Sequence, residues 1–271
     1  MNLDFGVKHL SGLAWLLPLI VILLNVLLLL RKKKNFGENF DKAVIRYTCY
    51  CMWAWEIIKT VRLINYADFG PVGSYPIFMA PFHICSMGLY AYPIISSKKS
   101  SKLAEWVMPF AYAALMIVTS IILIIPASSG ILGPTDDWNW TFDNILPYQS
   151  WFYHGSLIFV SIYMAASGFY RPCWRDIYKG STVLLVLAAF AQTLNFLFDG
   201  SGADFMTLRY GNGNPFAFLL TDTPILYYLL LATVAIGGMA LVLAITIGIR
   251  ALITKCKAKS EESIGCASNI D

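Results

Sequence analysis

The chain has 271 residues, of which 58% are hydrophobic and only 13% are charged, and it carries a net charge of +4. Its mean hydropathy is +0.62, whereas soluble domains have about 25% charged residues. This composition excludes a water-soluble enzyme and predicts an integral membrane protein. The positive charges lie in short clusters between apolar runs, a pattern typical of topology signals and not of nucleic-acid binding.

Seven apolar runs of roughly 20 residues are long enough to cross a bilayer as helices. They cover residues 13–30, 43–64, 75–96, 103–126, 148–170, 180–198 and 223–249. The second run has the weakest hydropathy, because Glu56, Lys59 and Arg62 interrupt it. The sequence therefore predicts an all-α, polytopic transmembrane helix bundle over residues 1–249, followed by a polar cytoplasmic tail over 250–271.

The distribution of Lys and Arg predicts the orientation of the bundle. Sixteen of these 20 residues fall in four clusters, at 31–46, 98–102, 171–179 and 250–259. Seven alternating spans put all four clusters on one side, which the positive-inside rule assigns to the cytoplasm. The first run is followed by its positive charges, whereas a signal peptide is preceded by them. We therefore expect a multi-pass protein of the cell membrane with its N-terminus outside.

Motifs of soluble enzymes are absent from the sequence. It has no glycine-rich phosphate loop after a strand, no paired Cys-x-x-Cys and no His/Cys cluster with zinc spacing. No metal and no cofactor is therefore predicted. Of the six cysteines, three lie in predicted spans and three on the predicted cytoplasmic side, so a disulfide framework is not expected.

The informative residues are polar ones inside the spans. Glu56, His83, His154 and Asn195 come from four different spans, at depths of roughly 7 to 12 Å below the outer surface. Ionisable residues at such depths are functional candidates, and a shared depth predicts one shared site. Each residue also has a structural interpretation. Glu56 can pair with Lys59 on its own helix, and the histidines and Asn195 can form hydrogen bonds between helices.

Several short motifs carry a family resemblance over residues 43–230. They are Trp55-Glu56, Pro81-Phe82-His83-Ile84-Cys85, Tyr153-His154-Gly155, Ile162-Tyr163, the stretch 195–208 with Pro215, and Pro224-Ile225-Leu226-Tyr227. The chain resembles the YwaF-type bacterial integral membrane family. The resemblance extends to transmembrane protein 164, a lipid acyltransferase, and more distantly to the androgen-induced and androgen-dependent membrane hydrolases. It implies acyl chemistry inside the membrane, with a Thr or Cys nucleophile and a His.

The nucleophile does not carry over from these relatives, because Phe82 stands where the eukaryotic acyltransferase has its cysteine. Cys85 is the obvious replacement. On a continuous helix, however, residues two apart point about 200° apart, so His154 would have to activate Cys85 in place of His83. Ser86 would share a helix face with His83 and is the second candidate nucleophile. Both also have ordinary structural roles, as a small apolar filler and as a hydroxyl bonded to its own backbone.

Two functions are compatible with these residues. The first is an intramembrane acyltransferase or ester hydrolase, with a membrane lipid as substrate and His83 or His154 as general base. The second is a small-molecule transporter or sensor that binds its ligand or relays protons through Glu56 and the histidines. Seven spans without an internal repeat disfavour a transporter built from two halves. Nucleic acid is not an expected partner, and the sequence leaves the oligomeric state open.

Overall fold

The computed structural model describes residues 7–65, 75–99, 101–124, 146–201, 204–208 and 223–267. Its described elements are all helical. The α-helices are α1 (Val7–Lys33), α2 (Glu38–Asn65), α3 (Gly88–Ile95), α4 (Lys102–Pro109), α5 (Leu115–Ile124), α6 (Leu146–Ala166), α7 (Arg175–Leu197) and α8 (Pro224–Ala267). The predicted all-α class is therefore confirmed. The predicted loops at 127–147 and 199–222 and the end of the tail lie largely outside the described residues.

Four described stretches are long and apolar enough to cross a bilayer: Leu13–Lys33, Lys102–Ile121, Arg175–Leu197 and Pro224–Cys256. Large apolar side chains cover the outside of these helices, and Phe196 on α7 is 81% exposed. Such a surface is suited to lipid and would aggregate in water. The structure thus supports a membrane-embedded protein, while the count of seven spans stays a prediction.

The third apolar run, residues 75–96, is not one continuous helix. Short 3₁₀ turns cover Ile77–Met79 and Cys85–Met87, and α-helix begins only at Gly88. Pro81 explains the break, because a proline disfavours helical backbone at the residue before it. Ala80 is indeed extended, with φ −61° and ψ 146°. The assumption of a continuous helix, on which the sequence argument about Cys85 and Ser86 rests, is therefore wrong here.

The fourth run changes helix type between α4 and α5. Pro109 ends α4, and the five residues Phe110–Ala114 form a π-helical turn, all of them buried. The Ser161 hydroxyl of α6 donates a hydrogen bond of 3.2 Å to the Tyr112 carbonyl in this turn. This hydrogen bond helps to set the axial position of α6 relative to the fourth run.

A buried ion pair ties three helices together at the end of the bundle that carries the basic clusters, hereafter the basic end. The Arg31 guanidinium on α1 donates two hydrogen bonds, of 2.8 and 2.9 Å, to the Asp41 carboxylate on α2. The Tyr163 hydroxyl on α6 donates a third, of 2.7 Å. Asp41 is fully buried, so every charge and hydroxyl in this group has a partner.

Candidate functional site

Polar side chains from three segments meet on one side of α2, in a group hereafter called the polar cluster. Its members are Glu56 and Lys59 of α2, His83, Cys85 and Ser86 of the broken third segment, and Tyr153 of α6. The break in the third segment positions three of these residues, because the chain turns at Pro81 before α3 begins. Buried polar groups of this kind need partners, and the partners here come from separate elements.

The centre of the cluster is an ion pair within α2. The Lys59 ammonium lies 2.6 Å from the Glu56 carboxylate, three residues earlier, and both side chains are largely buried. Lys59 also donates a hydrogen bond of 3.2 Å to the Met79 carbonyl, which anchors the irregular segment to α2. The pairing of Glu56 with Lys59 that the sequence allowed is therefore present. In addition, the Lys59 charge acts electrostatically on both His83 and Cys85.

His83 is held in one tautomer by the irregular backbone around it. Its Nε2 lies 3.0 Å from the Phe78 carbonyl. A carbonyl only accepts, so Nε2 carries the proton and Nδ1 keeps the lone pair. The ring also packs edge-on against Phe205 at a centroid distance of 5.5 Å. Nδ1 of His83 is therefore the ring nitrogen that could accept a proton as a general base.

Cys85 and Ser86 are both buried, at 6% and 8% exposure. Tyr153 of α6 interacts with the Cys85 thiol, the Ser86 hydroxyl and the Glu56 carboxylate. Within the described part of the chain, the Tyr153 hydroxyl has no well-formed hydrogen bond. A buried hydroxyl without a fixed acceptor can donate to a ligand oxygen.

His154 adjoins the polar cluster, because its ring meets the Tyr153 ring edge-on at a centroid distance of 6.0 Å. It is one residue after Tyr153, so its side chain points about 100° further round α6. It shares a helix face with Ser161, seven residues on, and Ser161 bonds to Tyr112 in the π-helical turn of the fourth run. Its Nδ1 donates a 2.8 Å hydrogen bond to the Ser150 carbonyl, which leaves Nε2 buried without a partner among the described residues.

Asn195 of α7 clamps the backbone of Phe205. Its side-chain amide donates to the Phe205 carbonyl at 3.1 Å and accepts from the Phe205 N–H at 2.6 Å. Phe205 in turn packs against His83 and Phe82. Asn195 thus supports the wall behind His83 instead of presenting its amide to the polar cluster.

The structure brings Glu56, His83, Cys85 and Ser86 together, and it places His154 against Tyr153 and Asn195 against Phe205, at the edges of this group. The sequence motifs include Tyr153 but assign it no role in the site, and Lys59 was expected only as a partner for Glu56. The available signal for Lys59 was its positive charge inside an apolar run. Among the described residues, no group of three His, Cys, Asp or Glu side chains is placed to hold a metal ion. The cluster offers a thiol, a base and a hydroxyl donor, which are the groups that acyl transfer uses.

Comparison with known proteins gives one match. Neither a curated protein nor a solved structure matches the chain. The TMEM164 family matches residues 5–244, a range that includes the polar cluster, His154, Asn195 and the Arg31–Asp41 ion pair. The YwaF-type and hydrolase resemblances stay predictions. Because the match covers most of its length, the chain belongs to the TMEM164 family.

Proposed function

We propose that this protein is an intramembrane lipid acyltransferase or ester hydrolase, with Cys85 as nucleophile and His83 as general base. The observation that carries the proposal is that the Lys59 charge acts on both His83 and Cys85, which lie two residues apart at a break in the chain. Membership of the TMEM164 family is consistent with a role in lipid chemistry.

The reaction has two steps. Nδ1 of His83 takes the proton of the Cys85 thiol as sulfur attacks the carbonyl carbon of a lipid ester. The tetrahedral intermediate expels the alcohol, which receives that proton from His83, and leaves the acyl group on Cys85 as a thioester. A second alcohol or water is then deprotonated by His83 and attacks the thioester, and the thiol is regenerated. A lipid hydroxyl as acceptor gives transfer, and water gives hydrolysis.

Two further side chains have roles in this proposal. The Tyr153 hydroxyl would donate a hydrogen bond to the oxygen that becomes negative in the tetrahedral intermediate. The Lys59 ammonium would stabilise the Cys85 thiolate, as cations beside reactive cysteines do. Glu56 then positions Lys59 through their ion pair. Ser86 and His154 remain the competing nucleophile and base, and the test below separates them.

The test uses the purified protein in phosphatidylcholine nanodiscs with an electrophilic lipid probe that traps an acyl-enzyme. We expect Cys85→Ala to abolish covalent labelling, and Cys85→Ser to slow it, because a hydroxyl needs more activation than a thiol. His83→Gln should lower the labelling rate by about 10²- to 10⁴-fold, the usual contribution of a general base. Ser86→Ala should leave labelling within about twofold.

His154→Gln is the matched control, since it removes a second buried imidazole from the same membrane region. Labelling that depends on His154 and not on His83 would assign the base to His154. Labelling lost only in Ser86→Ala would move the nucleophile to Ser86. If all these variants fold and label like the wild type, the enzyme proposal is wrong, and transport or sensing through Glu56 replaces it.

We also propose seven spans in the cell membrane, with the N-terminus outside and the C-terminus in the cytoplasm. The four basic clusters support this arrangement. A reporter that works only in the cytoplasm should be active when fused after Lys34, Lys102, Lys179 or the C-terminus. It should be inactive within residues 127–147, and activity there would overturn the topology.

A further inference from the structure

A second polar site lies at the basic end, remote from the polar cluster. An open cavity of about 340 Å³ lies between the starts of α2, α4 and α7 and the loop that follows α6. Four cations line it: Lys42, Lys99, Arg171 and Lys179. Its volume is near the lower end of the roughly 300–1,000 Å³ of small-molecule sites. That is room for a headgroup and not for a large cofactor.

The charges in this cavity do not cancel. Lys42 pairs with Glu38 at 2.8 Å, and Lys179 lies 4.0 Å from Glu105, a distance typical of a weak pair. Within the described residues, no ion pair is formed by Lys99 or Arg171. Four cations against three carboxylates leave the cavity lining with an excess of one positive charge, which would attract an anion.

The third acid of the cavity, Asp176, is already engaged by its own helix end. Its carboxylate accepts hydrogen bonds from the Tyr170 hydroxyl at 3.0 Å and from the Cys173 N–H at 2.9 Å. Ser101 similarly accepts from the Ala104 N–H at the start of α4. The α4 start is therefore capped, whereas the α7 start has no side-chain cap, and the charge that would hold an anion comes from the lysine and arginine side chains.

The rest of the lining indicates what kind of anion fits. Ile95, Met108 and Phe169 form an apolar wall beside the cations, which suits a glycerol backbone and the first carbons of acyl chains. The cavity also lies at the end of the bundle that the positive-inside rule assigns to the cytoplasm, where anionic lipids concentrate. A free phosphate ester would use the cations but not the apolar wall.

We propose that this cavity binds the phosphate headgroup of an anionic glycerophospholipid from the same leaflet, through Lys99 and Arg171. The site is separate from the polar cluster, so the proposal does not depend on the acyl-transfer function. Binding there would hold the basic end at a fixed depth in the leaflet.

The test compares lipid binding by the full chain in two nanodisc compositions, phosphatidylcholine alone and phosphatidylcholine with 20% phosphatidic acid. Native mass spectrometry counts the phosphatidic acid retained by the protein. We expect retention by the wild type and about 100-fold weaker binding in the double variant Lys99→Gln/Arg171→Gln, since each charged hydrogen bond to the phosphate is worth about tenfold. The pair Lys33→Gln/Lys34→Gln is the control, because it removes equal charge from the same end outside the cavity.

Three outcomes would overturn the proposal. The wild type could retain no phosphatidic acid above phosphatidylcholine. The control pair could lose as much binding as the cavity pair, which would mean diffuse attraction to the leaflet. Soluble glycerol phosphate at millimolar concentration could displace the lipid completely, which would assign the cavity to a free phosphate ester. Thermal unfolding in phosphatidylcholine alone should match the wild type for both pairs, and probe labelling at Cys85 reports separately on the acyl-transfer proposal.

Discussion

Within the described part of the chain, two ion pairs with a buried carboxylate differ in how completely their groups are satisfied. At the basic end, both oxygens of Asp41 accept hydrogen bonds from Arg31, and Tyr163 adds a third. In the polar cluster, Lys59 pairs with Glu56, but a thiol, an imidazole nitrogen and the Tyr153 hydroxyl lie nearby without a complete set of partners. A satisfied network stabilises a fold, whereas one with free donors and acceptors can act on a ligand.

The comparison assigns opposite expectations to substitutions in the two regions. Changes in the Arg31–Asp41 pair should lower the free energy of unfolding. The protein that still folds should keep its lipid turnover. Changes in the polar cluster should affect lipid turnover beyond their effect on folding. Each experiment below measures the midpoint and free energy of unfolding in detergent micelles.

The largest loss of stability is expected for Asp41→Ala. It strands the Arg31 guanidinium and the buried Tyr163 hydroxyl, and removing one partner of a buried pair costs about 4 kcal/mol. Asp41→Asn keeps the shape and should lose less. If Asp41→Ala has the same free energy of unfolding as the wild type, the hydrogen-bonded group of Arg31, Asp41 and Tyr163 contributes nothing to stability.

A double-mutant cycle on Glu56 and Lys59 is the direct test of the comparison. Lys59→Met leaves the Glu56 carboxylate buried without its cation and should cost about 3 kcal/mol. The double variant Glu56→Gln/Lys59→Met should recover at least about 1 kcal/mol of this loss. Lipid-probe labelling should stay low in the double variant. If the double variant regains both its stability and its labelling, the Glu56–Lys59 pair has only a structural role, like the Arg31–Asp41 pair.

Asn195→Ala should have a smaller effect. It leaves the N–H and carbonyl of Phe205 without their side-chain partners, at a cost of about 2 kcal/mol. Because Phe205 packs against His83, labelling should fall moderately while its dependence on Cys85 is retained. Complete loss of labelling in a stable protein would instead place Asn195 in contact with the substrate.

The smallest effect is expected for Glu38→Gln. Its pair with Lys42 at 2.8 Å is on the surface, and the Glu38 side chain is 68% exposed. Such i,i+4 pairs contribute about 0.3 kcal/mol. A decrease in the free energy of unfolding above about 1 kcal/mol would mean that the stability of the basic end depends on ion pairs other than Arg31–Asp41.

Hydropathy and charge were sufficient to predict the helical class and the approximate limits of most helices. The 27 residues of α1 end in Arg31, Lys32 and Lys33, where the charge cluster follows the first apolar run. Such features can be predicted from the sequence alone, because the length of an apolar run and the charges beside it are local properties of the chain.

The arrangement of the polar cluster depended on contacts that no local pattern contains. Pro81 could have predicted the break before Cys85, yet hydropathy averaged over the run concealed it. That Tyr153 and His154 have different neighbours follows from the packing of α6 against the third segment and the fourth run. Adjacent residues of equal polarity cannot be separated by depth alone, so the single site shared by the four residues stays a prediction.

The π-helical turn at Phe110–Ala114 has a consequence for evolutionary comparison. Its i→i+5 hydrogen bonds hold one residue more than an α-helical turn. A relative could therefore lack one residue there while α4 and α5 keep the faces they present to their neighbours. Alignments should admit a single gap within 110–114, because an ungapped alignment would shift every position of α5 by one residue and compare buried positions with lipid-facing ones.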